Sequence, residues 1–177
     1  MNNNEIEFSI IWDFGCRGLY SEEIETYAAN EIEEVLNELL QGKSNILQIG
    51  VMYKFNNEKV VHTMELSEIA EINKKLIENI KNNQEAKYFD SYCSCDFEFV
   101  SVPIDNKRIR FIITDYNNEP VVLFDNIISK DDFIAEITRV FNEIHIRTKE
   151  IVSEYSNRHN LNQEQGKELL SRLYEWR

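Results

Sequence analysis

Residues 96–128 constrain the fold more than any other part of the chain, because their side chains alternate in character along two segments in succession. In 96–102, Phe97, Phe99 and Ser101 interleave with Asp96, Glu98 and Val100. In 108–114, Ile109, Phe111 and Ile113 interleave with Arg108, Arg110 and Ile112. Successive side chains of a strand point to opposite faces, so this pattern of aromatic and β-branched residues predicts two half-buried strands. It also selects a register, since a slip of one residue sends each side chain to the wrong face. A three-residue loop at Ile104, Asp105 and Asn106 sets Phe99 opposite Phe111 and Phe97 opposite Ile113. Asn117 and Asn118 suit a two-residue hairpin loop, because asparagine tolerates positive φ. That turn adds a third strand, with Phe124 opposite Phe111, Val122 opposite Ile113 and Asp125 opposite Arg110.

On the second face of this meander Arg110 then stands directly across from Asp125 and diagonal to Glu98, which predicts a structural ion-pair trio. Val100, Val102, Ile112, Val121 and Leu123 share that face, so it is expected to be at least partly covered. Ser129, Lys130, Asp131 and Asp132 form a capping-box pattern with Asp in the place of Glu, and open a helix. Its apolar stripe runs through Phe133, Ile134, Ile137, Val140, Phe141, Ile144, Thr148, Ile151, Val152 and Tyr155. A helix of about 27 residues is about 40 Å long, more than one small sheet can cover. Its distal half therefore packs on a final helix, capped by Asn162 and lined by Leu169, Leu170, Leu173 and Trp176.

The rest of the chain reads the same way. Ile6, Phe8, Ile10, Trp12 and Phe14 mark a first strand. Ser21 caps a helix that ends at Gly42, with Ile24, Tyr27, Ala28, Ile32, Val35, Leu36 and Leu39 inward. Residues 46–55 and 59–65 form a hairpin through Asn56, Asn57 and Glu58, and Ser67 caps a helix over 68–81. The conformation of 88–92 is left open. The order β-α-β-β-α-β-β-β-α-α, with hairpin connections, predicts an α+β fold with a mainly antiparallel sheet. With no linker in 177 residues, one domain is expected over 1–177, of which 129–177 is the long helix plus the C-terminal helix.

The net charge of −13 opposes binding to nucleic acid or anionic membrane, both of which need a basic surface. There is no apolar run of about 18 residues to span a membrane. Three cysteines without a framework spacing suit a reducing compartment, and the N-terminus lacks a signal-peptide pattern, so a soluble cytoplasmic protein is expected. Chemistry is sparsely signalled. Cys93 and Cys95 would share a strand face, but they and His62, His145 and His159 lack metal-ligand spacing, so neither a metal nor a cofactor is expected. No nucleophile-elbow or phosphate-loop motif occurs, and the chain is expected not to be an enzyme.

Residues 18–42 hold seven Glu and no Lys or Arg, and the helix there presents Glu22, Glu23, Glu33, Glu34 and Glu38 outward. Tyr20 and Tyr116 are loop tyrosines of the kind that anchor interfaces. With the β-β-β-α segment 97–144, this acidic face resembles, in general type, the immunity proteins of bacterial toxin systems. That resemblance implies a compact inhibitor that covers the active surface of a cognate basic toxin, often a nuclease. Glu22, Glu23, Glu33, Glu34, Glu38, Tyr20 and Tyr116 would then contact the partner, with the protein acting as a monomer or homodimer. Two other readings stand beside it. One is a ligand-binding or enzymatic domain with a pocket between sheet and helices, using Glu98, Arg110 and Asp125 or the two thiols. The other is a scaffold that self-associates through its terminal helices.

Overall fold

The computed structural model describes residues 8–14, 27–43, 47–90 and 97–174. Along the chain these form β1 (Phe8–Phe14), α1 (Tyr27–Leu40), β2 (Gln48–Phe55), β3 (Glu58–Glu65), α2 (Leu66–Lys81), β4 (Ala86–Asp90), β5 (Phe97–Pro103), β6 (Arg108–Asp115), β7 (Val121–Ser129), α3 (Lys130–Arg158) and α4 (Gln163–Leu173). The fold is α+β, with antiparallel sheets of order β1-β2-β3 and β4-β5-β6-β7. The expected order of elements holds, and the segment left open lies partly in a further strand, β4, which pairs with β5.

Both turns of the meander differ from expectation. The first loop is three residues long but is centred one residue later. Ile104 N–H donates to Arg108 O, which leaves Asp105, Asn106 and Lys107 in the turn. The Asp105 carboxylate accepts from the backbone N–H of Lys107 and of Arg108, so this side chain fixes where the turn begins. Moving the centre by one residue moves the register by two, so the faces survive while the partners change. Phe99 stands opposite Ile113, and Phe111 opposite Ser101. The second loop is not the two-residue Asn117–Asn118 turn. It spans 116–120, with Asp115 accepting from the Asn117 backbone and side chain. Phe124 faces Ile113, Asp125 faces Ile112, and Leu123 is an extra residue on β7 between the partners of Ile113 and Thr114. That bulge keeps Phe124 and Ile128 inward beyond an irregular loop.

The chain divides into two compact units, 1–11 with 52–61 and 71–139, and 12–51 with 62–70 and 140–177. In the first unit Phe111, fully buried, is the common neighbour of four rings. Phe133 lies 4.7 Å away, Tyr53 5.7 Å, Phe124 5.9 Å and Phe99 6.5 Å. Phe8 stacks on Phe133 at 5.2 Å. The start of α3 also holds β1 by its backbone: Ile10 N–H donates to Glu136 and Arg139 donates to Ile10 O. Ser129 accepts from Asp132 N–H, the expected N-cap bond. Next to it, the buried Lys130 ammonium donates to the Asn83 side chain, just past the C-terminus of α2.

The second unit holds α1, α4 and most of α3, with parts of β1, β2 and β3. Gly42 (φ 78°) and Asn160 (φ 53°), like Asn83 (φ 57°) in the first unit, each follow a helix end in the left-handed conformation that glycine and asparagine tolerate. At Gly42 the paired bonds of a Schellman ending are both present, from Gly42 N–H to Leu39 O and from Lys43 N–H to Glu38 O. Arg172 of α4 donates to Leu39 O as well, adding positive charge to the carbonyl end of α1. Tyr155 of α3, fully buried, donates to Asn37 Oδ1 of α1 at 2.6 Å. The α4 capping box is complete through Asn162 and Gln165, and Leu169 and Leu173 are buried as expected. A Cβ on Gly166 would lie 3.1 Å from Ser156 Oγ, which shows how closely α4 approaches α3. Ser67 departs from expectation. Its hydroxyl donates to Glu65 and α2 already starts at Leu66, because Glu68 accepts from Glu65 N–H and serves as the acceptor at this helix start.

His145 Nδ1 lies 2.9 Å from Tyr174 Oη, and burial followed by the nearby Lys149 pulls its pKa below the ordinary histidine value. Well above the ordinary value of about 6.5, folded and unfolded chains both hold it neutral. As pH falls, the unfolded chain takes up the proton first, so stability declines. Thermal unfolding at pH 7.5 and 5.5 is expected to show a larger loss for the wild type than for His145→Gln. Phe111→Ala is expected to lower the unfolding free energy by about 3–5 kcal/mol, measured by urea denaturation.

Candidate functional site

Two surfaces can be weighed, the acidic helix named by the sequence and the outer face of the four-stranded sheet. On α1, Glu33 is not an open carboxylate. It pairs with Arg158 at 2.9 Å and lies 3.6 Å from His159 Nε2. The Arg158 hydrogen bond is the main reason its pKa lies below the usual value. Glu38 lies 3.8 Å from Lys43. Glu34 is exposed and has no ion pair among the described residues. Tyr20, Glu22 and Glu23 lie outside the described residues. The helix segment lacks cations in sequence, yet Arg158 reaches Glu33 from 125 residues away, so the one-signed face is partly neutralised in three dimensions.

On the sheet, the inner face is filled by Phe99, Phe111, Ile113, Phe124 and Ile128, all buried. The register places Phe89, Glu98, Thr114 and Val122 in one row across the outer face, and Lys87, Val100, Ile112 and Asp125 in the next. Val102, Arg110 and Ile127 form a third. The expected cover over this face is missing along β7. Val122 is 56% exposed and Ile127 51%, and beside them Val121, which the register puts in the row of Phe97 and Asp115, is 52% and the bulge residue Leu123 38%. Phe89 on β4 is 48% exposed, and its ring lies 5.8 Å from that of Tyr116. Among the described residues, six of the nine exposed large hydrophobic ones, these five and Ile104, belong to this sheet and its first loop, so the exposure is concentrated rather than scattered.

The charges among these apolar groups are matched, though not as the expected trio. Arg110 grips Asp125 through two bonds of 2.7 and 2.6 Å, and this diagonal pair is the main cause that holds the Asp125 carboxyl below its usual pKa. Glu98 stands opposite Thr114, four residues along β6 from Arg110, a separation of about 13 Å at strand rise. Its partner is Lys87 at 2.5 Å, a residue of β4 that the sequence pattern assigns to a polar loop over 81–87, and Tyr116 donates to it at 3.2 Å. The Glu98 hydrogen bond raises the Lys87 pKa. Tyr116, named from sequence as an anchor, is thus brought to this face. Phe89, Val122 and Ile127 were missed as a group. The available signal was the run 121–128, which contains a single charge and is too apolar for a strand covered on one side only.

No three His, Cys, Asp or Glu side chains among the described residues gather closely enough to hold a metal ion. No helix among them is long and apolar enough to cross a membrane. An apolar surface crossed by satisfied ion pairs suits association with another macromolecule. Its charges are already bonded within the sheet, and the side chains between them gain by leaving water. Comparisons with family models, curated proteins and solved structures found no match for the chain.

Replacing Val122 and Ile127 together by Thr, which keeps β-branching, is expected to change the unfolding free energy by no more than about 0.5 kcal/mol. The same change should lower the binding of a hydrophobic fluorescent dye. Urea denaturation and dye titration check the two halves.

Proposed function

We propose that the protein is a protein-binding domain that neutralises a basic partner, docking it on the outer face of β4-β5-β6-β7. The observation that carries this is the concentration of exposed Phe89, Val122 and Ile127 on that face, with Val121 and Leu123 at its margin, around ion pairs that are already closed. The net charge of −13 selects the partner's sign, since it draws basic proteins and repels nucleic acid and anionic membrane. The division of labour follows general interface physics. Apolar groups and Tyr116 supply affinity, while carboxylates beyond the contact, Glu34 on α1 among them, raise the association rate. The proposed activity is that of the toxin-immunity proteins in general type, in a cytoplasmic setting consistent with three cysteines that lack a disulfide spacing.

The test is affinity capture from the source cell at low salt followed by kinetics on the retained polypeptide. One basic polypeptide is expected, with an association rate that falls steeply between 50 and 500 mM salt (about 14 to 4 Å of Debye length). Phe89→Ala should weaken binding by about ten- to thirty-fold, mostly through faster dissociation. Binding indifferent to both salt and Phe89 would remove the basis of the proposal.

A further inference from the structure

The two edges of the four-stranded sheet are built differently. β4 is five residues long, carries Lys87 and follows Glu85, and short charged strands are a common way to block unwanted pairing at an edge. β7 is nine residues long and has one charge, Asp125, which is already bonded to Arg110 on its neighbour strand. Pro120 immediately precedes it, and the bulge at Leu123 interrupts its first part. Beyond them, residues 124–129 pair without a break with 108–113 of β6. Six residues span about 20 Å, the length of an ordinary strand. Ile127 on this run is half exposed.

The charge along this edge is one-sided. Residues 119–132 contain Glu119, Asp125, Asp131 and Asp132, and the one cation, Lys130, is buried with its ammonium on Asn83. Glu119, Asp131 and Asp132 form no ion pair among the described residues, and they bracket the two ends of β7. Glu58 also lies along it, accepting from Asn126. A second copy of the chain would bring the same carboxylates against themselves, whereas a basic segment would meet them.

We infer that 124–129 of β7 is a strand-addition edge, and that its occupant is an extended basic segment of the partner protein. The inference rests on the docking function proposed above and specifies its backbone chemistry. The added strand bonds main chain to main chain along β7. Its cationic side chains face the flanking carboxylates, and its apolar side chains lie beside Ile127 and extend the exposed outer face.

The experiment uses the full chain labelled with nitrogen-15 and a short, end-blocked peptide of alternating lysine and valine. A peptide of alternating glutamate and valine is one control. The lysine peptide with alternate backbone nitrogens methylated is the other, since it keeps the charge and loses strand pairing. In the free protein alternate amides of 124–129 are expected to exchange with solvent faster than the amides of β6. The lysine peptide is expected to shift the β7 amide resonances and slow their exchange at least tenfold, while neither control does. If those amides are already protected in the free chain, or if the methylated peptide binds equally well, the edge is not used and the inference falls. Binding that perturbs α1 instead overturns the strand-addition inference but leaves the basic-partner function standing. No binding of the lysine peptide at millimolar concentration overturns both.

Discussion

The packing of Phe111 against Phe133, Phe124, Phe99 and Tyr53 is the constraint on which the first unit depends. Rings at these separations bury large areas and add edge and offset contacts worth about 0.5–1.5 kcal/mol per pair. They come from three strands of one sheet, from the hairpin of β2 and β3, and from the first turn of α3. Each local element is thereby fixed by the same cluster. The outer face is free of this duty, which is why it can hold half-exposed apolar groups at little cost to the fold.

Charge pairing organises what the rings do not. Arg110 with Asp125, Lys87 with Glu98, and Arg158 with Glu33 each join groups from different elements. These pairs are solvent-exposed on at least one side and contribute little to stability. Their larger consequence is electrostatic, because they cancel charge where elements meet and leave the net −13 to carboxylates elsewhere. The edge of β7 is one such place. The face of α1 is less so than its own sequence implies.

Most of the α+β fold was legible from local pattern. The alternation in 97–102 and 108–114 identified strands and their buried faces, the helix stripe from Ile32 to Leu39 is buried as read, and in the stripe from Phe133 to Tyr155 all but the half-buried Ile134, Phe141 and Ile151 are buried. The helix stops at Gly42 and the caps at Ser129 and Asn162 were legible because capping is chemistry between near neighbours. The pairing partners were less so. The Asp105 side chain recentred one turn and kept the faces of β5 and β6, whereas a five-residue loop with a bulge at Leu123 replaced the other and exchanged the faces of Val121 and Val122 before the bulge. Of the expected ion-pair trio Arg110 and Asp125 do pair, diagonally rather than directly across, while Glu98 goes to Lys87 of β4.

The sequence by itself determined which residues of β5 and β6 face inward, the end of α1 at Gly42, the caps of α3 and α4, and the sign of the molecule's charge. Those depend on periodicity, on bonds within a few residues, and on composition. Only the tertiary structure decided that Glu33 is bonded to Arg158, that Phe89 joins Tyr116, and that β7 forms an edge with Val122 and Ile127 exposed. Each of those depends on which distant segment arrives alongside, and a shift of a single residue at a turn is enough to change it.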